Sequence, residues 1–197
     1  MQRTDRTLFM IDVSLAYVRQ VLDQYLITSS GQETGTVILN HVVTPDGSMP
    51  QKNQNKVVIT LINLEYETNR QYYGDRSGYG GQSAQIYPVQ HFNLHVLISA
   101  CFDEYPEALK QLTAVVGFFQ ENLTFTRENR PGLPDGLAAL NFEVENSPSN
   151  QTHNLWTALG AKYQPSMIYK IRHVSVGDGQ VKGVDSTIGR IAGAVAP

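Results

Sequence analysis

The side chains that could support catalysis or metal binding lie mainly on one predicted strand, residues 91–102 (HFNLHVLISACF). His91 and His95 fall on the same face of this strand, because successive side chains of a strand point to opposite faces. A spacing of four residues separates them by about 13 Å at ~3.3 Å per residue. Two histidines so far apart need ligands from elsewhere to hold a metal ion at about 2 Å. We therefore expect a polar sheet face here and no metal site.

The single cysteine, Cys101, occupies the same strand face as the two histidines. It lies about 20 Å from His95 along the strand, so the strand supplies no cysteine–histidine dyad. A partly buried, inert thiol is the expected state. Asp103 and Glu104 precede a proline-initiated helix, whose dipole they complement. The sequence contains no phosphate-binding loop, dinucleotide fingerprint or zinc-binding histidine pair on a helix. No catalytic constellation therefore stands out in the sequence.

Charged side chains form two further groups. Glu65 and Glu67 share a strand face near Arg70, which indicates a solvated or interface charge cluster rather than a catalytic carboxylate pair. A modest basic concentration follows near the end of the predicted fold: Lys162, Lys170, Arg172 and His173. It fits an acidic patch on a protein partner as well as nucleic acid. The formal net charge of -3 and the lack of interleaved aromatics argue against nucleic acid.

Composition places the chain among ordinary globular proteins. It has 197 residues and 41% hydrophobic content, enough for one sizeable core. One cysteine permits no intrachain disulfide. No apolar run approaches the ~20 residues of a membrane helix, and the N-terminus lacks a signal-peptide core. These features predict assembly in the cytoplasm and no direct membrane binding.

Periodicity gives an alternation of helices and strands. Helices are predicted over residues 11–26, 105–122 and 150–159, and strands over 37–43, 56–69, 91–102, 139–145 and 166–173. Together they indicate an α+β fold with one mixed, largely antiparallel sheet and helices packed on it. The strand 56–69 is apolar on both faces at its start, which is typical of a strand interior to a sheet.

Two strands, 56–69 and 91–102, are predicted to form a long hairpin that is the stem of the fold. The even positions of 91–102 face the core, and the odd positions form sheet surface or a subunit contact. Residues 71–88 are rich in glycine and tyrosine and are expected to form a mobile, adaptable hairpin tip. The predicted domains are a flexible lead (1–10), an α+β domain (11–173) and a flexible C-terminal arm (174–197).

Four stretches carry a resemblance to a known family: MIDVSLAYVRQVLDQYL, NKVVITLINLEYETNR, HFNLHVLISACFDEYPEALKQLTAVVGFFQEN and HNLWTALGAKYQPSMIYKIR. They span most of residues 10–172. The chain resembles the cap, or tail-terminator, proteins of phage-tail-like contractile injection systems of the Photorhabdus virulence cassette type. The resemblance implies a tail-terminator-like fold without enzymatic activity or cofactor. It implies a homohexameric ring at the particle end distal to the baseplate, which binds the last layers of inner tube and contractile sheath and stops polymerisation. The resemblance further places the protein in a phage-tail-like particle that is either released or membrane-anchored.

The resemblance transfers no point-like motif, so interface residues are predicted from physical arguments. A ring needs head-to-tail contacts, and sheet edges or extended arms offer backbone groups for pairing. We expect the hairpin tip to meet the tube. The arm is expected to reach the sheath or a neighbouring subunit, with residues 174–176 as an edge strand. The candidates are Tyr72, Tyr73, Arg76, Tyr79, Tyr87, Lys170, Arg172, Val174 and Val176.

Two alternatives remain open at this level. One is another structural part of the same machine, such as a tube-end adaptor or a baseplate component. The other is a small hydrolase or ligand-binding domain whose site uses His41, His91 or Cys101. That second alternative requires a deep pocket in which convergent polar groups meet.

Overall fold

The computed structural model describes residues 10–68, 78–79, 82–86, 90–176 and 181–186, with side chains for residues 10–68, 91–172 and 174. The helices are α1 (Met10–Ser30), α2 (Tyr105–Glu121) and α3 (Ser149–Leu159), and a short 3-10 helix spans Gln51–Asn53. The strands are β1 (Val37–Leu39), β2 (Lys56–Tyr66), β3 (Gly78–Tyr79), β4 (Gln82–Ile86), β5 (Gln90–Cys101), β6 (Thr124–Thr126), β7 (Ala139–Val144), β8 (Ser166–Val176) and β9 (Val181–Ser186).

A six-stranded sheet in the order β1-β2-β5-β8-β7-β6 forms the centre of the fold. The β1–β2 pair is parallel and the other four pairs are antiparallel. This confirms the predicted mixed, largely antiparallel sheet, and the β2–β5 pairing confirms the hairpin stem. A second sheet, β3-β4-β9, was not predicted. Its strands β4 and β9 come from distant parts of the chain, and local periodicity carries no information about such pairing.

Helices α1 and α2 cover one face of the sheet, called here the helical face, over the larger core. The even positions of β5 that were expected to face the core include Leu94, Val96 and Ile98, and all three are buried there. Aromatic rings fill the centre of this core, where Phe118 of α2 contacts Tyr25 of α1. Within the described residues, no helix is both long and apolar enough to cross a membrane.

The opposite face of the sheet is covered as well, which corrects the expectation for the odd positions of β5. Trp156 of α3 packs with Leu97 and with Val42 from the loop after β1, forming a second, smaller core. Ser99 and Cys101 on this face are also buried. The sequence predicted a helix over residues 150–159, but not which face of the sheet it would cover. The odd face of β5 is therefore interior over much of its length rather than exposed surface.

Strand β2 changes its environment halfway along. Residues 57–59 pair with β1 on one side and β5 on the other, as an interior strand does. Because β1 ends at Leu39, residues 61–66 pair only with β5 among the described residues, and a bulge lies between Leu61 and Asn63. The predicted interior position is therefore right for the first half of β2 and wrong for the second half.

Strand β8 continues past the predicted end of the last strand at residue 173. Its final residue, Val176, lies opposite Gln90 of β5, and Val174 is completely buried. Residues 174–176 pair with β5 of their own chain, whereas the described pairing with β7 ends at Arg172, so their assignment as an edge strand stays a prediction. Strand β6 falls in a segment predicted as loop. The proposed division into lead, domain and arm stays a prediction.

Candidate assembly surface

A charged cluster, defined as Glu65, His95, Glu145 and Lys170, crosses the sheet on the face opposite α1 and α2. The His95 Nδ1 atom lies 2.5 Å from Glu145 Oε2, and Nε2 lies 3.1 Å from Glu65 Oε2. Lys170 Nζ lies 2.5 Å from the same Glu65 oxygen. Strand register produces this arrangement, because His95 and Lys170 stand directly opposite each other on β5 and β8. The cluster therefore joins β2, β5, β8 and the segment after β7.

The electrostatics of the cluster favour ion pairing over catalysis. The Lys170 ammonium and, after it, the His95 ring lower the pKa of Glu65 to about 2. A carboxylate with so low a pKa is a poor proton acceptor near neutral pH, where general bases work best with a pKa near 7. Burial raises the pKa of the Cys101 thiol and raises that of Tyr169 to about 12, so both groups stay protonated.

Replacing Glu65 with glutamine is expected to change the acid sensitivity of the fold. The pKa of Glu65 falls from the usual 4.5 to about 2 on folding, so the unfolded state binds more protons between these values. The stability that Glu65 contributes is present above about pH 4.5 and is lost as the pH falls towards 2. Urea unfolding should show a lower midpoint for E65Q at pH 7 and no difference near pH 2. The effect should be modest, because the side chain is 47% exposed.

The matched control for this experiment is Glu128→Gln, which removes an exposed carboxylate from the loop after β6. Its midpoint should follow that of the unaltered protein at every pH. Parallel pH curves for E65Q and the unaltered protein between pH 2 and 4.5 would contradict the assigned role of Glu65.

Two members of the predicted basic concentration, Lys170 and Arg172, pair with acidic side chains of the same subunit. Lys170 pairs with Glu65, and Arg172 Nε lies 2.9 Å from Glu143 Oε2. The geometry of this second contact makes it an ion pair without a hydrogen bond. Glu143 comes from the neighbouring strand β7 and Glu65 from β2, on the far side of β5, and a single sequence does not reveal these partners. This pairing weakens the case for a nucleic-acid surface at β8.

The predicted interface residues are distributed unevenly in the structure. Lys170 and Arg172 lie on one face of β8, while Val174 packs in the core and is removed from the surface candidates. Tyr79 is in β3 opposite Gln82, and Val176 ends β8. The remaining four candidates lie outside the described residues: Tyr72, Tyr73, Arg76 and Tyr87.

The residues of the alternative hydrolase site do not meet in a common pocket. His91 and Cys101 lie at opposite ends of β5, opposite Ser175 and Lys56 respectively. His41 lines a shallow cavity of about 540 Å³ beside the start of α1, which contains neither His91 nor Cys101. Among the described residues, no group of three or more His, Cys, Asp or Glu side chains is placed to hold a metal ion.

An exposed apolar row lies on the second half of β2 and was not predicted from the sequence. Leu61, Leu64 and Tyr66 are each exposed by about two fifths or more of their surface. Leu64 lies directly opposite Leu94, and Tyr66 opposite Phe92, so both share the helical face of the sheet. The signal that could have revealed them is the shortness of the apolar run at residues 37–43, which limits how far β1 can cover β2.

The two segments predicted to contact partners pair with each other. Strand β4 belongs to the predicted hairpin tip and β9 to the predicted arm, and they form an antiparallel pair. Ile86 lies opposite Val181, and Gln82 lies opposite Ser186. The tip and the arm therefore contribute to one small sheet, rather than to two separate contact elements.

Comparisons with known proteins agree with the predicted resemblance. The Pvc16 N-terminal domain family matches residues 15–188, whereas no protein with curated annotation matches the sequence. The fold is similar to the sheath/tube terminator of an extracellular contractile injection system, PVC, in the extended state (TM-score 0.59, 15% identity, 95% of this chain and 63% of that chain). It is also similar to the tube terminating cap of the anti-feeding prophage, AFP (TM-score 0.54, 15% identity, 91% and 61%). The chain thus spans about three fifths of the length of both structures.

Its fold is the predicted terminator-like fold, and the family match covers most of the sequence. The chain belongs to the Pvc16 N-terminal domain family.

Proposed function

We propose that this protein is a terminator of a contractile injection system. Six copies form a ring at the end of the particle distal to the baseplate. The ring binds the last layer of the inner tube and the last layer of the contractile sheath, and it stops further polymerisation. Assembly takes place in the cytoplasm, and the protein then remains part of the particle. The role is structural and uses neither catalytic group nor cofactor.

The observation that carries this proposal is the family match over residues 15–188, together with a fold shared with two terminators. The chemistry of the described residues is compatible with it. The polar groups that could have formed a site are instead paired across strands, as in the charged cluster of Glu65, His95, Glu145 and Lys170. Ion pairs of this kind hold strands in register and engage the carboxylates and the imidazole of this cluster, which could otherwise act as bases.

The β3-β4-β9 sheet is the proposed contact surface for the tube and the sheath. The pairing of β4 with β9 supports this, because it joins the two segments that the sequence singled out as contact elements. Lys170 and Arg172, which lie on β8 of the six-stranded sheet, are the proposed charged contacts. The tyrosines at 72, 73, 79 and 87 and Arg76 remain proposed contacts as well.

The direct test is to delete the gene for this chain in a strain that produces the particle and to measure particle length by electron microscopy. Without a terminator, tube and sheath growth has no stop signal at the distal end. We expect particles of variable length, sheath that detaches from the tube, and recovery of uniform particles when the full chain is supplied again.

The supplied chain should also be visible as a sixfold ring at the distal end in averaged images. Uniform particles with attached sheath in the deletion strain would contradict the proposal. A ring of another size, or the chain located at the baseplate, would instead indicate a tube-end adaptor or baseplate component of the same machine.

A further inference from the structure

The terminal strands of the six-stranded sheet have outer edges that side chains partly close. On β6, Asn129 Oδ1 accepts a hydrogen bond from Thr126 N, and Asn129 Nδ2 donates to Thr124 O, each at 2.8 Å. On β1, Asp23 Oδ1 accepts a hydrogen bond from Val37 N at 2.8 Å. Blocking outward backbone groups in this way prevents another strand from pairing there.

Strand β2 has an open edge at residues 61–66, behind the short strand β1. Glu67 N donates to His91 O of β5 at 2.9 Å. Because backbone groups of a strand alternate between its two sides, the N–H and C=O groups of Leu64 and Tyr66 point away from β5. Among the described residues, no strand pairs with this side of residues 61–66. Six residues are long enough to accept an added strand.

A second open stretch lies at the end of β7, behind β6. Glu145 N donates to Ile168 O of β8 at 2.9 Å, so the backbone groups of Val144 and Asn146 point away from β8. The pairing on that outer side ends where Phe142 N donates to Leu123 O. Beyond this bond, no described residue pairs with the outer side of Val144 or Asn146, and both residues are exposed.

The two open stretches are complementary in strand direction. They lie towards opposite sides of one sheet, so a contact between them is head-to-tail, the kind that closes a ring. Three successive antiparallel pairings, β2–β5, β5–β8 and β8–β7, make β7 antiparallel to β2. A second copy placed beside the first in the same orientation therefore presents its β2 antiparallel to β7. This match in direction identifies a second copy of the chain as the occupant, shifted along the strands because Val144 is level with Leu61 within one sheet.

We propose that residues 61–66 of one copy add as a strand to residues 144–146 of the next copy, which joins the two sheets. This inference rests on the proposed ring. The register places Tyr66 opposite Val144 and Leu64 opposite Asn146. A register one pair further would bring Tyr66 against Phe142, whose outward N–H already bonds Leu123.

Side chains support the same arrangement. Leu64 and Tyr66 lie on the helical face of their sheet, and Val144 lies on the same face because it is opposite the core residue Tyr169. The three side chains are 42%, 47% and 56% exposed. In the joined sheet they form one continuous apolar row, and covering them removes apolar surface from water. An exposed apolar row on an open edge strand is otherwise an aggregation risk.

Disulfide cross-linking in assembled particles tests the contact. The full chain carrying Tyr66→Cys and Val144→Cys replaces the native chain, and purified particles are oxidised and separated on a non-reducing gel. Directly opposed residues have Cα atoms at about 5.5 Å, within disulfide reach. We expect a ladder of covalent multimers whose largest member contains all copies of the ring. The amount of cross-linked multimer should exceed that of either single variant at least tenfold. The native Cys101 is buried and takes no part.

The matched control pairs Val144→Cys with Leu109→Cys, because Leu109 is equally exposed but lies on α2. A second pair, Leu64→Cys with Asn146→Cys, covers the case in which the first pair fails to assemble. Three results would overturn the edge contact. They are an equally strong ladder in the control, covalent dimers from Tyr66→Cys alone, and no ladder from either cysteine pair. Such a result in particles of uniform length leaves the terminator role standing, whereas the deletion experiment tests that role without reference to this contact.

Discussion

Replacing Phe118 with alanine should lower the free energy of unfolding by about 3–5 kcal/mol, the usual range for losing a fully buried phenylalanine ring. Phe118 is completely buried and is placed where α1, α2 and β6 meet. Its ring centroid lies 5.2 Å from that of Tyr25, 4.9 Å from Phe119 and 6.1 Å from Phe125. The substitution removes these ring contacts together with the apolar burial, and the surrounding rings are too rigid to refill the space.

Urea unfolding followed by far-ultraviolet circular dichroism measures this change, at one protein concentration because self-association adds to apparent stability. The control is Leu109→Ala, which shortens an apolar side chain on the exposed side of the same helix and should cost about 0.5 kcal/mol or less. A loss below about 1 kcal/mol for Phe118→Ala would show that the larger core is not organised around this ring.

The helices and the stem of the fold follow from the sequence because their signals are local. The stripe through Leu15, Val18 and Leu22 predicts α1, and all three residues are buried. The alternation in residues 91–102 predicts β5 within one residue at each end. Such patterns depend on neighbouring residues, which the sequence displays directly.

The unpredicted features depend on residues far apart in the chain. Strand β6 has only three residues, and its strand character comes from pairing with β7 rather than from its own composition. The β4–β9 pairing and the partner of Lys170, Glu65, are likewise set by tertiary structure. The same limit applies to the exposed half of β2, since only the short length of β1 determines where the edge opens.

The type of structural element that forms the assembly surface was therefore predicted, but its location in the chain was predicted only in part. Sheet edges and extended segments were expected to mediate subunit contacts, and the described part of the six-stranded sheet contains the two open stretches of the proposed contact. Their positions, residues 61–66 and 144–146, were not among the predicted contacts. Val174 was predicted as a contact residue, but its side chain is completely buried in the larger core.

Replacing Leu97 with alanine should detach α3 from the sheet and lower the free energy of unfolding by about 2–5 kcal/mol. Leu97 is 1% exposed and packs against Trp156 in the smaller core, which contains few other buried residues. Trp156 is the single tryptophan of the chain, so its fluorescence reports on this helix alone. As the ring gains water contacts, its emission should move to longer wavelength before the main unfolding transition.

The conservative variant Leu97→Met separates loss of volume from loss of residue identity, because it keeps the volume and should cost less than about 1.5 kcal/mol. Its emission should match that of the unaltered protein. Circular dichroism of Leu97→Ala should still show the helical signal of α1 and α2, which pack on the other face of the sheet. An unchanged Trp156 emission in Leu97→Ala would mean that α3 is held by its loops rather than by this core. A simultaneous loss of both signals would mean that the two cores unfold as one unit.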